Sequence, residues 1–208
     1  MSDGCCDCEV DTRALQARQR RILTVVLAIN AVTFVMMMVA ASSSGASSLF
    51  SGALDNLGDA LTYALSFAVV GSTAKAKARV ALFKGVLITG AAVGVAVQIA
   101  WHLLDIAVPV VETMSVAAIL NLAANALCLA MLTPYRRADV NMSSVWECSR
   151  NDVLEGFAVI AAALAVWALG SGWPDILVAT VLLVLFLRSA TRVVRAALRD
   201  LRPAAAAS

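Results

Sequence analysis

Six apolar stretches, each long enough to cross a bilayer, run at Ile22–Ala41, Leu49–Val70, Val80–Leu103, Met114–Leu132, Cys148–Leu169 and Ile176–Val194. One membrane span takes about 20 apolar residues, so six use most of a chain of 208. Short loops and two tails are left, with no room for a second folded domain. Inside lipid the backbone must satisfy its own hydrogen bonds, so all six stretches are predicted to be helices. Composition agrees: 61% of residues are hydrophobic, 14% are charged and the mean hydropathy is +0.85. Soluble domains run at about 45–50% apolar and about 25% charged. An ordinary cytosolic enzyme, a disulfide scaffold and a disordered chain are excluded. The expectation is an all-α integral membrane protein with six transmembrane helices. The first stretch feeds straight into the second and lacks a small-x-small exit, so it is read as a span and not as a cleaved signal.

Basic residues orient the chain. Arg13, Arg18, Arg20 and Arg21 precede the first stretch, and Lys75, Lys77, Arg79 and Lys84 lie between the second and third. Arg136, Arg137 and Arg150 lie between the fourth and fifth or just inside the latter, and Arg188, Arg192, Arg195, Arg199 and Arg202 close the chain. These are all 16 Lys and Arg, and the other three loops carry none. The positive-inside bias therefore puts both termini in the cytoplasm. The expected organisation is a cytoplasmic Cys-rich tail over 1–21, a membrane domain over 22–195 and a short cytoplasmic tail over 196–208. A bacterial inner membrane is the expected location. A net charge of +2, scattered along the chain, gives no reason to expect nucleic acid. Trp101 and Trp173 near outer ends, and Trp146 and Tyr135 near inner ends, suit an interfacial belt. Gly90 and Gly94 form a GxxxG in the third stretch, read as packing within the subunit, since small residues let helices approach closely in lipid.

Ionisable side chains at membrane depth cost at least about 2.5–3.5 kcal/mol each, which makes them functional candidates. The second stretch holds Asp55 and Asp59, only about 40° apart on one helical face. In the fifth, Cys148 and Asp152 repeat that spacing, and Glu155 falls on the same stripe. Arg150 points roughly the opposite way. Two such pairs offer four oxygen or sulfur ligands, the number a tetrahedral divalent site uses. Paired carboxylates could instead form a proton relay or hydrogen-bond two helices.

These residues resemble the motifs of a known family, the cation diffusion facilitators, six-helix exporters of zinc and related metals that usually exchange metal for protons. Ser48-Leu49-Phe50 followed by Asp55-Asn56-Leu57-Gly58-Asp59-Ala60-Leu61 is similar to the family's second-helix motif, and Asp55 and Asp59 fall on its two ligand positions. Asn151-Asp152-Val153-Leu154 with Val159-Ile160 resembles the fifth-helix motif, in which His and Asp stand four apart. Asn30 and Pro174-Asp175-Ile176 resemble further family features. The resemblance implies a metal site of Asp55, Asp59, Cys148 and Asp152. Cys148 replaces the usual His, and Glu155 stands where the family generally has a small residue, adding a candidate fifth ligand or proton carrier. The chain ends about thirteen residues after the sixth stretch. The family's usual cytoplasmic domain is thus expected to be absent, with any homodimer held by membrane helices.

A thiolate among carboxylates suits zinc first and cadmium second, and disfavours magnesium and calcium. Three aspartates and a thiolate, all ionised, would be prohibitive in an empty low-dielectric site, so metal is expected to displace protons on entry. The expected activity is divalent heavy-metal export in exchange for protons by alternating access about a central site. No catalytic residue and no resident cofactor is expected. The partners are the transported ion, protons and membrane lipid.

Cys5, Cys6 and Cys8 form a CCxC cluster in an acidic tail, where a cytoplasmic setting argues against disulfides. They are candidates for metal capture near the pore, or simply reduced thiols in an unstructured tail. A non-transporting metal sensor or scaffold using that cluster is the alternative function. A Cys148-dependent membrane enzyme is disfavoured because no span contains CxxC and no His lies near that thiol to activate it. Cys128 is read as packing, His102 as interfacial rather than a ligand for released metal, Asn121 and Asn125 as bonding to neighbouring helices, and Asp175 as a cap on the sixth helix.

Overall fold

The computed structural model describes residues 12–68, 74–104, 106–137 and 140–201. Six helices follow one another: α1 (Thr12–Ser44), α2 (Ser47–Ala68), α3 (Ala74–Leu104), α4 (Val111–Leu132), α5 (Val140–Leu169) and α6 (Trp173–Leu201). No strand occurs among the described residues. Four segments, 17–44, 85–104, 111–135 and 148–169, are long and apolar enough to cross a membrane. Several helices overrun the apolar stretches at one end of the molecule: α1 begins at Thr12 rather than near Ile22, α5 at Val140 rather than Cys148, and α6 continues past Val194 to Leu201. The added turns of α1 and α6 are rich in Ala, Arg, Leu and Gln, which favour helix in water as well as in lipid. Residues 12–21 and 196–201 are therefore helical, continuing α1 and α6. Cys5, Cys6 and Cys8 lie outside the described residues, as do residues 202–208.

The helices form two groups. α1, α2, α4 and α5 pack as a bundle, α3 pairs with α6 along their length, and α2 touches all five other helices. Small side chains dominate the bundle core: Ala40 and Ala41 of α1, Ala53 of α2, Ala117 and Ala118 of α4, and Ala162 and Ala163 of α5, around Met37, Leu49 and Met114. Lipid tails are as apolar as Leu, so close packing rather than hydrophobic force holds such helices together. In the α3–α6 pair, Gly85 abuts Val194, leaving no space for a Cβ.

Gly90 and Gly94 behave differently. Both are exposed on the outer face of α3, and a Cβ at either would meet nothing within 4 Å. The GxxxG does not pack within the subunit, contrary to expectation. In lipid an outward face and a buried one are equally apolar, so composition alone cannot separate them.

The three connections without Lys or Arg meet at one end. Gly45 (φ 71°) and Gly170 (φ 59°) take the left-handed conformation that closes α1 and α5, with Gly45 N–H donating to Ala41 O and Gly170 N–H to Val166 O. Val110 N–H donates to Ser44 O at 2.9 Å, and Gly172 lies directly under the Ala107 carbonyl. The start of α1 and the end of α6 are consequently together at the opposite, basic end.

Candidate metal centre

α2 carries its acids where it meets α5. Asp55 and Asp59, one turn apart, are half-buried, and Asp152 of α5 is 6% exposed. The Asp55 and Asp152 carboxyls face each other within hydrogen-bonding reach across the α2–α5 contact. Asp59 accepts from the Tyr63 hydroxyl at 3.4 Å and lies within electrostatic reach of Asp152. Half-buried Glu155 acts electrostatically on both Asp55 and Asp59.

Cys148 shares its helix with Asp152 but is exposed. Among the described residues no three His, Cys, Asp or Glu side chains converge closely enough to hold an ion. The arrangement is an acid pair spanning two helices with further acids and a thiol close by, and not a closed four-ligand cage.

Spatial neighbours add what linear order could not. Cys128 of α4 has no ionisable neighbour in sequence, yet it lies within electrostatic reach of Asp59, buried with Val26, Tyr63 and Leu132. Tyr63 itself follows Asp59 by one turn, a spacing that could have marked it as a partner. Asn56 Nδ2 donates to Asn121 Oδ1 at 2.8 Å, tying α2 to α4 as expected for Asn121. Among the described residues the other amide oxygen, Asn56 Oδ1, is buried without a partner, as are Ser149 Oγ and Ser48 Oγ. Asn125 and Asn30 are also buried, and the Asn30 amide bonds back to Val26 O within α1.

Two residues at the far end link helices to one another. Asp175, 1% exposed in the first turn of α6, caps α2 and not its own helix. Ser47 N–H donates to its Oδ2 at 2.6 Å and Ser48 N–H to its Oδ1 at 2.9 Å. The first amides of a helix lack internal partners and favour an anion there, so a carboxylate from a neighbour satisfies both needs. His102, at the end of α3, pairs its Nδ1 with Ser47 Oγ at 2.8 Å and is half-buried. Both residues serve to join α2 with α3 and α6.

The family model for the cation efflux transmembrane domain matches residues 23–202, nearly the whole described chain. No curated protein matches the sequence.

Proposed function

The chain belongs to the cation efflux, or cation diffusion facilitator, family, and from that premise we propose that it exports zinc, and cadmium as a second substrate, in exchange for protons. Membership makes it a membrane transporter of metal cations; the metal, the counter-ion and the site residues are our reading. The observation that carries the reading is the approach of the Asp55 and Asp152 carboxyls to within hydrogen-bonding reach across α2 and α5, with Asp59 and Glu155 in electrostatic reach. Two carboxyl groups can share a hydrogen bond only if a proton lies between them. A divalent cation entering between α2 and α5 would take that proton's place, so binding metal and releasing protons are one event. Asp59 supplies a further oxygen. Cys148 approaches as a soft ligand when the helices close on the ion, which favours zinc and cadmium over magnesium and calcium. Glu155 is the nearest additional group to receive or pass on a proton.

The positive-inside bias supports uptake of metal at the basic, cytoplasmic end and release at the opposite end. The outward glycines Gly90 and Gly94 offer a seam for a second copy of the chain, so we place a homodimer contact along α3.

The test is zinc and cadmium flux into proteoliposomes carrying an internal pH dye, with wild type beside Asp55→Ala. Metal-driven flux with opposite proton movement, lost in Asp55→Ala, is the expected result. Flux unchanged in Asp55→Ala would remove the site from the α2–α5 contact. No flux in folded wild-type protein would transfer the assignment to a sensor acting through Cys5, Cys6 and Cys8.

A further inference from the structure

At the basic end two arginines converge on one tryptophan. The Arg136 guanidinium carbon lies 5.8 Å from the centroid of the Trp146 ring, and that of Arg150 lies 5.5 Å from it. The ring is held in place, because Trp146 Nε1 donates to Thr133 Oγ1 at 3.1 Å, and that hydroxyl donates to Leu129 O at 2.7 Å. Arg136 arrives from the 3-10 turn Thr133–Tyr135 that ends α4. Arg150 arrives from inside the apolar part of α5, one turn beyond Trp146. Helical side chains lean toward the helix N-terminus, so a charge rooted at membrane depth is carried back to the surface.

Both guanidiniums are exposed. The two distances to the ring place these like charges at most 11.3 Å apart. Exposed cation–π contacts are weak and leave most of the five N–H donors of each guanidinium unused. Counting Arg137, Asp139 and Glu147 as well, the segment 133–150 is still net positive. Such a pair calls for an anion with several acceptor oxygens, and phosphate fits the planar donor fork best. Since Trp146 belongs to the interfacial belt and Arg150 is rooted in the span, the phosphate within reach is that of a lipid headgroup.

We infer that Arg136 and Arg150, braced by Trp146, bind the phosphate of an anionic phospholipid in the leaflet at the basic end. The bound headgroup ties the end of α4 to the stretch of α5 just ahead of Cys148 and Asp152.

The test uses the full chain in detergent, with retained lipid counted by native mass spectrometry during titration with phosphatidylglycerol or phosphatidylcholine. Phosphatidylglycerol should bind in preference to phosphatidylcholine. Arg136→Gln/Arg150→Gln should weaken it by about five- to thirtyfold, from the usual contribution of an arginine near an anionic surface. Arg18→Gln/Arg21→Gln, which removes the same charge from exposed positions on α1, should change it less than about twofold. If the double variant does not fold, Arg150→Gln alone carries the test, with an expected loss of about fivefold. Equal losses in the α1 control, or unchanged binding in the α4–α5 variants, overturn the inference. So does displacement of the lipid by millimolar inorganic phosphate, which would make this a site for the free anion.

Discussion

Asp175 offers the clearest separation between holding the fold and handling the ion. Its carboxylate receives two backbone N–H groups of α2, at 2.6 and 2.9 Å, from a position almost closed to solvent. Hydrogen bonds to a charged group contribute about 1.5–3 kcal/mol each, so Asp175→Ala removes about 3–6 kcal/mol of interaction. Water entering the vacated space can satisfy part of what the two freed amides lose. A net cost of about 3 kcal/mol lowers the unfolding midpoint of a chain this size by roughly 6–12 °C. Asp175→Asn keeps one acceptor but sets its amide N–H₂ against the second backbone N–H, and should lose about half as much. The assay is thermal unfolding in detergent at one fixed scan rate, followed by tryptophan fluorescence. Zinc flux is measured alongside, well below either midpoint. Both variants should transport at rates within about twofold of wild type per folded molecule, because Asp175 holds a helix end and no ion. Unchanged stability, or lost flux with the midpoint intact, would refute this and make Asp175 part of the ion path.

Two further experiments probe helix packing and ligand softness. Gly85→Ala forces a methyl group into Val194 and should cost about 1–3 kcal/mol by overpacking, whereas Gly90→Ala, with open space around it, should leave the midpoint unchanged or slightly raised. Gly90→Leu should instead shift the oligomer toward monomer, read by mass photometry in nanodiscs, and an unaltered dimer would move the seam away from α3. Cys148→His should lower the ratio of cadmium to zinc flux, since imidazole is the harder ligand. In both proteins acid should weaken metal binding, by up to about tenfold per pH unit for each proton displaced. Titration of zinc affinity between neutral and mildly acidic pH checks the sign.

How much of this was legible beforehand depended on whether a signal was local. The helices follow from apolar runs, and the shared face of Asp55 and Asp59 follows from the pitch of a helix. The pairing of Asp55 with Asp152 could only be inferred through a family resemblance, because nothing within α2 specifies α5 as its neighbour. Asp175 shows the limit more sharply. An acid in the first turn of α6 reads locally as a cap for α6, and only the tertiary arrangement reveals that the amides it serves belong to α2, 128 positions back in the chain. The outward GxxxG and the exposure of Cys148 were hidden for a different reason. In water, polarity marks which helix face is buried, but in lipid the outer face is also apolar and the mark is erased.

The ties that hold α2 differ in what an ion could do to them. Its start is fastened to α6 through Asp175 and through Ser51 Oγ, which donates to Ala179 O at 3.1 Å, and to α3 through His102. Its middle is fastened to α4 by the Asn56–Asn121 amide bond. None of these bonds needs a proton that a metal would displace. A proton held between the neighbouring Asp55 and Asp152 carboxyls, as proposed above, would be such a tie, and it would join α2 to α5. On the proposed mechanism, metal entry therefore acts selectively on the α2–α5 gap while the attachments of α2 to α3, α4 and α6 persist. That selectivity makes α5, the helix carrying Cys148 and Glu155, the element expected to move relative to α2 when the ion binds.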